Sequence, residues 1–504
     1  GGAGRDDHDT SGKHAPPAPA RTTPPERFDP DEAWHMSDLA SACPDPQLEA
    51  TARLDPYWSG AWRRGSSASW YDRPNVDLCL ASGIMHFFPH QFLVDADAAV
   101  DRFMAAYDRL DRLAMLGALH CWRTMTAEQM ACFTGSRRLL RPYSPGTATA
   151  FAAHLLDIGL LAEEPRPGRF NQRNVVFRPS RSHTFAERVE PHLTWPEWVS
   201  ITGGQQWIPG GQYDRHNLLA TELGLRAAEY ADVGTILGER FCTADLLAGS
   251  GAGLPRIEND QRTADACLIR QDGLRVAIEL TATNSKGFEK KVNRWARLLS
   301  ERSLADTGLV VVVLVAPVPG GDKQRDASVR AKTYEAVAAA VREHPGVSFD
   351  RVANRIGIAT WREWFPGSHL ISDNFLGLRV DRPTGEGDDL WQSVELFDLA
   401  QMPFTPRNPD AIRAVFSNVA HHGQTPFWLR LREDPPPLVD VMLAHHKVKQ
   451  IPAPDTSRPE LRRGAGRRLG AGVGGARDTR PPRRLLGLAA QNLDLAQRNM
   501  QKEA

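Results

Sequence analysis

Within ADACLIRQDGLRVAIELT, residues 264–281, two carboxylates stand where a sheet would bring them together. Asp265 opens a short apolar run, ACLIR, and Glu279 lies inside a second, VAIELT. Between the runs, Asp272-Gly273 has the sequence of a tight hairpin turn, so they read as adjacent strands. Side chains alternate across a strand, which puts Glu279 on one face with Arg275, Ala277 and Thr281. Val276, Ile278 and Leu280 point the other way. A carboxylate buried without a partner is costly, so Glu279 needs a counter-charge. One reading is a metal site. Two oxygen ligands converging at a sheet edge suit Mg²⁺ or Mn²⁺, which take one or two carboxylates together with a substrate phosphate. Such a cation would activate water and neutralise charge on the phosphoryl group. The other reading is structural: an edge acid, and a Glu paired with Arg275 or a helix lysine.

The elements that position this hairpin follow from the periodicity around it. YDRHNLLATELGLRAAEYA (213–231) reads as a helix and TILGERF (235–241) as a strand. A long connection, 242–262, leads to the hairpin. A helix over 285–304, the strand GLVVVVLVA (308–316), a helix over 325–343 and the strand RIGIATW (355–361) complete an α-β-β-β-α-β-α-β order. That order predicts a mixed α/β sheet flanked by helices. On the helix after the hairpin, Phe288, Val292, Trp295 and Leu299 form the apolar stripe. Lys291 falls about 60° from Phe288, at the stripe's edge, while Lys286 and Lys290 fall nearly opposite. Lys291 is the lysine of the three that points toward the sheet, unless it snorkels to solvent.

The arrangement resembles the core of the PD-(D/E)XK nuclease superfamily. In that superfamily an Asp begins the second core strand and Glu-x-Lys lies on the third. The resemblance implies that Asp265 and Glu279 hold Mg²⁺ or Mn²⁺. It also marks a departure, because Thr281 stands where the motif has lysine and cannot supply its charge. Helix-borne substitutes occur in the superfamily, so Lys291 is the expected replacement. Glu222 on the first helix is a further candidate ligand, against a plain reading as a surface helix charge.

Upstream, residues 98–182 read as helix, helix, helix, hairpin, the order of a winged helix-turn-helix. AAVDRFMAAYDRLDRLAMLGALHCW supplies the first helical pattern, and TMTAEQMACFTG a short helix capped by Thr126 and ended by Gly135. TATAFAAHLLDIGLL (147–161) reads as the third helix. AEEPRPGRFNQRNVVFRPS reads as a wing turning at Pro167-Gly168. A DNA-binding reading places Thr147 and Thr149 in a groove and Arg166, Arg169, Arg173 and Arg178 against phosphates, with Arg137, Arg138 and Arg141 added from the loop before the third helix. The third helix has no Arg or Asn to read a base edge. A packing or dimerisation module is the alternative.

The whole chain bounds these readings. Its 504 residues suit several domains, and 61 basic against 61 acidic residues leave net charge uninformative about partners. Six scattered cysteines without a CxxC pair point to a reduced, cytoplasmic setting and against a cysteine zinc site. No apolar run is long enough for a membrane span. Residues 1–30 are Pro- and Gly-rich and predict disorder, 31–97 an irregular extension, 363–451 a C-terminal extension or small subdomain with FWLRL (427–431) as a strand, and 452–504 a basic Gly/Arg/Pro tail. The tail either holds a nucleic-acid backbone by charge or is solvated without a role. HHG (421–423) and AHHK (444–447) read as surface or capping histidines.

A winged helix followed by RHNLLATELG, ADACL and VAIELT before a lysine-bearing helix also resembles the actinobacterial replication-relaxation family of plasmids and conjugative elements, over roughly residues 105–360. The resemblance implies DNA as partner in mobile-element replication or transfer. The expectation is a metal-dependent deoxyribonuclease (endonuclease). A non-catalytic DNA-binding accessory factor and a protein-interaction module without a DNA role are the alternatives.

Overall fold

The computed structural model describes residues 23–409 and 425–430, apart from 60, 63–67, 85–87, 107, 142–143, 162–174, 194–197, 199–200, 203–205, 211–213, 259, 261 and 384–390. The 1–22 segment, both histidine pairs, Arg166, Arg169, Arg173 and the 452–504 tail lie outside the described residues.

The chain is mixed α/β. After a helix over Arg73–Ala81, the region read as helical has α1 (Ala96–Ala105), α2 (Arg109–Trp122) and α3 (Ala127–Thr134). The single helical pattern from residue 98 is therefore two helices. Thr126 and Gln129 form a reciprocal capping box on α3, and Gly135 ends it at φ 76°. A fourth helix, α4 (Pro145–Ala152), stops earlier than its apolar pattern suggests. His154 takes φ 57°, and LDIGLL (156–161) becomes a strand. The period-two spacing of Leu156, Ile158 and Leu160 wins over a helical continuation. With β1 (Ala68–Tyr71), β2 (Met125–Thr126), β3 (Leu156–Leu161) and β4 (Val175–Pro179), the order of this antiparallel sheet is β1-β3-β4-β2. The hairpin arms are thus 156–161 and 175–179. At Gly159 a Cβ would stand 2.8 Å from Val176 Cγ2 and 3.0 Å from Trp70, so the strands approach too closely for a side chain.

After α5 (Asp214–Tyr230) come β5 (Val233–Gly238), α6 (Ala244–Ala248), β6 (Ala266–Arg270), β7 (Arg275–Thr281), α7 (Lys286–Glu301), β8 (Leu309–Val315), α8 (Lys323–Glu343), β9 (Ile356–Thr360), β10 (Arg379–Pro383) and β11 (Trp391–Glu395). They build one seven-stranded sheet of order β11-β10-β9-β8-β7-β6-β5. Strands β7, β8 and β9 are parallel neighbours, and the remaining pairs are antiparallel. β7 and β8 are buried throughout, as strands covered on both faces must be. The register Ile236–Leu268–Val276 puts these residues on one face, and a Cβ at Gly224 of α5 would lie 3.2 Å from Ile236. α5 covers that face. Arg275, on the opposite face with Glu279, donates to Leu247 O (2.7 Å) and Gly251 O (3.2 Å), so α6 and the turn after it lie on the Glu279 side.

The two parts are joined through Trp122. A Cβ at Gly224 would stand 2.5 Å from its ring and one at Gly238 2.7 Å, so the indole fills a notch that only glycines leave open. Residues 31–59, 61 and 62 form a strap of short turns packed on the sheet domain. Trp34–His35 pairs with Leu370–Ile371, Trp62 Nε1 donates to Ala316 O (2.9 Å), Trp58 Nε1 donates to Phe365 O (3.0 Å), and the Tyr57 hydroxyl donates to Pro317 O. Phe427–Arg430 is a helical turn, not a strand, with Trp428 Nε1 donating to Ala228 O (3.1 Å).

Candidate active site

Glu279 sits inside β7 and is 2 % exposed. Its Oε1 accepts from Trp295 Nε1 (2.6 Å), and its Oε2 lies 2.5 Å from Lys291 Nζ. Both partners come from α7, one helical turn apart. Trp295 belongs to the apolar stripe, which makes its indole a buried donor in need of an acceptor. Lys291 faces the sheet from the stripe's edge, one-third exposed. Asp265 stands just before β6. Its amide donates to Ile278 O (2.9 Å) and its Oδ2 accepts from Leu280 N (2.7 Å), so its carboxylate straddles β7 at the level of Glu279.

Burial pushes the Glu279 carboxyl up to about 7, against the Lys291 ammonium and with help from the Asp265 charge. Burial works against charge on Lys291, but Glu279, Asp265 and Glu239 outweigh it and hold the pKa raised. Glu239 was not legible as a site residue. It follows Gly238, which pairs with Ala266, and so comes alongside Asp265 across the strands. Burial and then the Asp265 charge raise its pKa. His216, in the first turn of α5, is a second addition. Burial lowers its pKa, opposed by Asp265 and reinforced by Arg215 and Lys291. The Trp62 ring meets the His216 ring edge-on at 5.0 Å, so the strap walls this end of the site.

Thr281 closes a local turn: its hydroxyl donates to Thr283 O and accepts from Thr283 N (3.3 Å). The lysine charge of the site comes from α7 instead. The carboxylate oxygens of Glu279, Asp265 and Glu239 are of the hard kind that a divalent cation such as Mg²⁺ takes. Among the described residues, however, no three His, Cys, Asp or Glu side chains are grouped closely enough to hold one ion.

Glu222 is not at this site. It is fully buried, and four donors occupy its two oxygens: Arg53 Nε (3.2 Å) and Nη2 (3.0 Å), Arg226 Nε (3.0 Å) and Gln129 Nε2 (3.3 Å). Arg53 also pairs with Glu229, and Arg226 with Asp55 at 2.9 Å. Buried carboxylates in such a network are held by cations and hydrogen bonds, which leaves no place for a metal.

The expected DNA-reading helix is also displaced in role. Apart from Pro145 and Thr149, every residue of α4 is buried. Phe88 stacks on Phe151 with centroids 5.0 Å apart, and Phe92 meets it at 5.8 Å. Residues 88–105 thereby cover the helix. Thr147 is fully buried and bonds Ser144, while Thr149 turns its hydroxyl back to Pro145 O (2.6 Å). Burial keeps Thr147 out of any groove, while Thr149 is half-buried. Arg178 is buried too, paired with Asp157 at 3.2 Å and 4.0 Å above the Trp70 ring. Arg137, Arg138 and Arg141 are exposed, Arg137 pairing with Asp45 at 2.6 Å.

No family model matches the chain, and no curated protein or solved structure matches it significantly.

Proposed function

We propose that the protein binds DNA and carries a metal-dependent nuclease-type site for phosphodiester cleavage, on a core of PD-(D/E)XK type. The observation that carries this reading is the 2.5 Å approach of Lys291 Nζ to Glu279 beside Asp265, a cation supplied by a helix where the strand has Thr281. Asp265 and Glu279, with Glu239 beside them, would hold the divalent cation, which when bound activates water and offsets phosphate charge. Lys291 is positioned to hold the scissile phosphate or the attacking water. His216 and Trp62 close one end of the site and exclude solvent there. The helix–helix–helix–hairpin order supports a winged helix that serves mainly in packing. The replication-relaxation resemblance supports a setting in plasmid or mobile-element replication or transfer.

The second reading is a DNA-binding accessory factor on a non-catalytic scaffold. It is favoured by Glu279 giving one oxygen to Lys291 and the other to Trp295. A nicking assay with Mg²⁺ or Mn²⁺ on wild type and Glu279→Ala separates the two. Cleavage lost in the variant supports the enzyme. Equal cleavage by both proteins removes Glu279 from the mechanism. No cleavage with intact, salt-dependent DNA binding favours the scaffold. Absence of DNA binding altogether favours a protein-interaction module.

A further inference from the structure

The C-terminal half of α7, with Ile257, Glu258, Asp260 and Arg262, lines an open cavity of about 430 Å³, distinct from the carboxylate site. Its lining carries four guanidiniums, of Arg262, Arg294, Arg297 and Arg302, against the carboxylates of Glu258, Asp260 and Glu301. Two of the arginines are paired within the cavity, Arg262 with Asp260 and Arg297 with Glu301 (2.8 Å). Arg294 is exposed and forms no ion pair among the described residues, and Arg302 donates to the Pro255 carbonyl (3.2 Å). Arg262 gives its Nε and Nη2 to Asp260 and is 9 % exposed, so the open cations of the cavity are those of Arg294, Arg297 and Arg302.

The cavity is coupled to the carboxylate site through one side chain. The Arg262 guanidinium lies 5.1 Å above the Trp295 ring, and the same indole donates to Glu279. Along α7, Lys291 and Arg302 are eleven residues apart, about 16 Å of helix axis. Guanidiniums suit phosphate because their planar forks pair with two oxygens at once.

We propose that this cavity binds phosphates of the DNA backbone flanking the one at Lys291, so that α7 tracks the strand from the site outward. This rests on the reading of the Glu279–Lys291 site as the place of the scissile phosphodiester. The test uses the full chain, labelled single-stranded and duplex oligonucleotides, and fluorescence anisotropy across a salt series. Arg294→Ala/Arg302→Ala is expected to weaken binding at least about tenfold and to flatten the log–log salt slope by about 1–2, since each phosphate contact contributes about 0.9. A double variant with unchanged affinity and slope overturns the proposal, as does a wild type that binds neither oligonucleotide. Inorganic pyrophosphate that occupies the cavity of a wild type unable to bind DNA would mark a small-anion site and overturn it too. If the double variant loses affinity while wild type never cleaves, the backbone track stands and the nuclease reading falls. If wild type cleaves and the double variant binds normally, the track alone falls.

Discussion

Two clusters of buried carboxylates, one on α5 and one at β7, are finished differently. Around Arg53, the carboxylates of Asp55, Glu222 and Glu229 meet two guanidiniums, and none of the five residues is more than 3 % exposed. Four donors saturate Glu222. Around Glu279, one ammonium pairs with a single carboxylate, Asp265 and Glu239 add negative charge nearby with Arg123 and Arg240 acting on Glu239, and the group opens to solvent at Lys291. Like charges on adjacent strands are destabilising unless a cation joins them. Both clusters bury acids, so burial does not tell structure from function. The cations do: the first group sets two buried guanidiniums among three acids and ties the strap to α5, whereas the second gives Glu279 an ammonium that is one-third exposed.

The contrast can be broken most severely at Arg53. Arg53→Ala leaves Glu222 and Glu229 buried without their shared cation and is expected to cost about 3–5 kcal/mol, read by chemical denaturation. A loss under about 1 kcal/mol would mean that the network is not what holds the strap. Glu279→Ala should act in the opposite manner. Folding survives, while divalent-cation-dependent cleavage falls by about 10²–10³, equivalent to about 3–4 kcal/mol of barrier. Wild-type turnover in that variant would erase the distinction between the clusters.

pH sharpens the comparison with a somewhat smaller effect. The folded Glu279 pKa of about 7 lies above its ordinary value of 4.5, so the native state binds the proton more tightly. Stability contributed by this group is full below pH 4.5 and is lost as pH rises to about 7, by roughly 3 kcal/mol in all. Glu279→Gln should remove that slope and gain most, relative to wild type, above pH 7. Thermal melts with Mg²⁺ should show stabilisation of wild type that grows between pH 6 and pH 8, because cation and proton compete for the carboxylate. The glutamine variant should show none. The smallest change is expected at Thr147. Thr147→Val removes its bonds to Ser144, should cost about 1 kcal/mol, and should leave DNA affinity untouched. Weakened DNA binding would restore the helix as a reader.

The core was readable where local pattern decides the outcome. The Asp272-Gly273 hairpin set β6 beside β7, and the angle of Lys291 from the apolar stripe of α7 sent it to Glu279. Glu239 escaped notice because it follows a strand, in a 3-10 turn, and its neighbour Asp265 is distant along the chain. Glu222 misled for the converse reason. It has a ligand's residue type on a plausible helix, but its partner Arg53 lies 169 residues upstream. Burial of α4 could not be read from its own amphipathicity, since the cover comes from Phe88 and Phe92. In LDIGLL, alternation and a positive-φ His154 overrode a helical pattern that ends with the alanines.

The strap sets an order on synthesis. Arg53 and Asp55 meet His369 across more than 310 residues, and Trp34 pairs with Ile371. Contacts of such sequence separation close late, and chains fold from the N-terminus as they emerge from the ribosome. Residues 31–62 therefore leave the ribosome long before their docking surface exists, and stay unsatisfied until the residue-370 region follows. Trp62 takes its place against Ala316 and His216 only after the sheet is assembled. A nascent or prematurely terminated chain would hold Asp265, Glu279 and Lys291 without their wall, so the candidate site would mature only when translation has passed it by some ninety residues (~90, a chain-growth interval of about 5–20 s at the rates at which domains emerge).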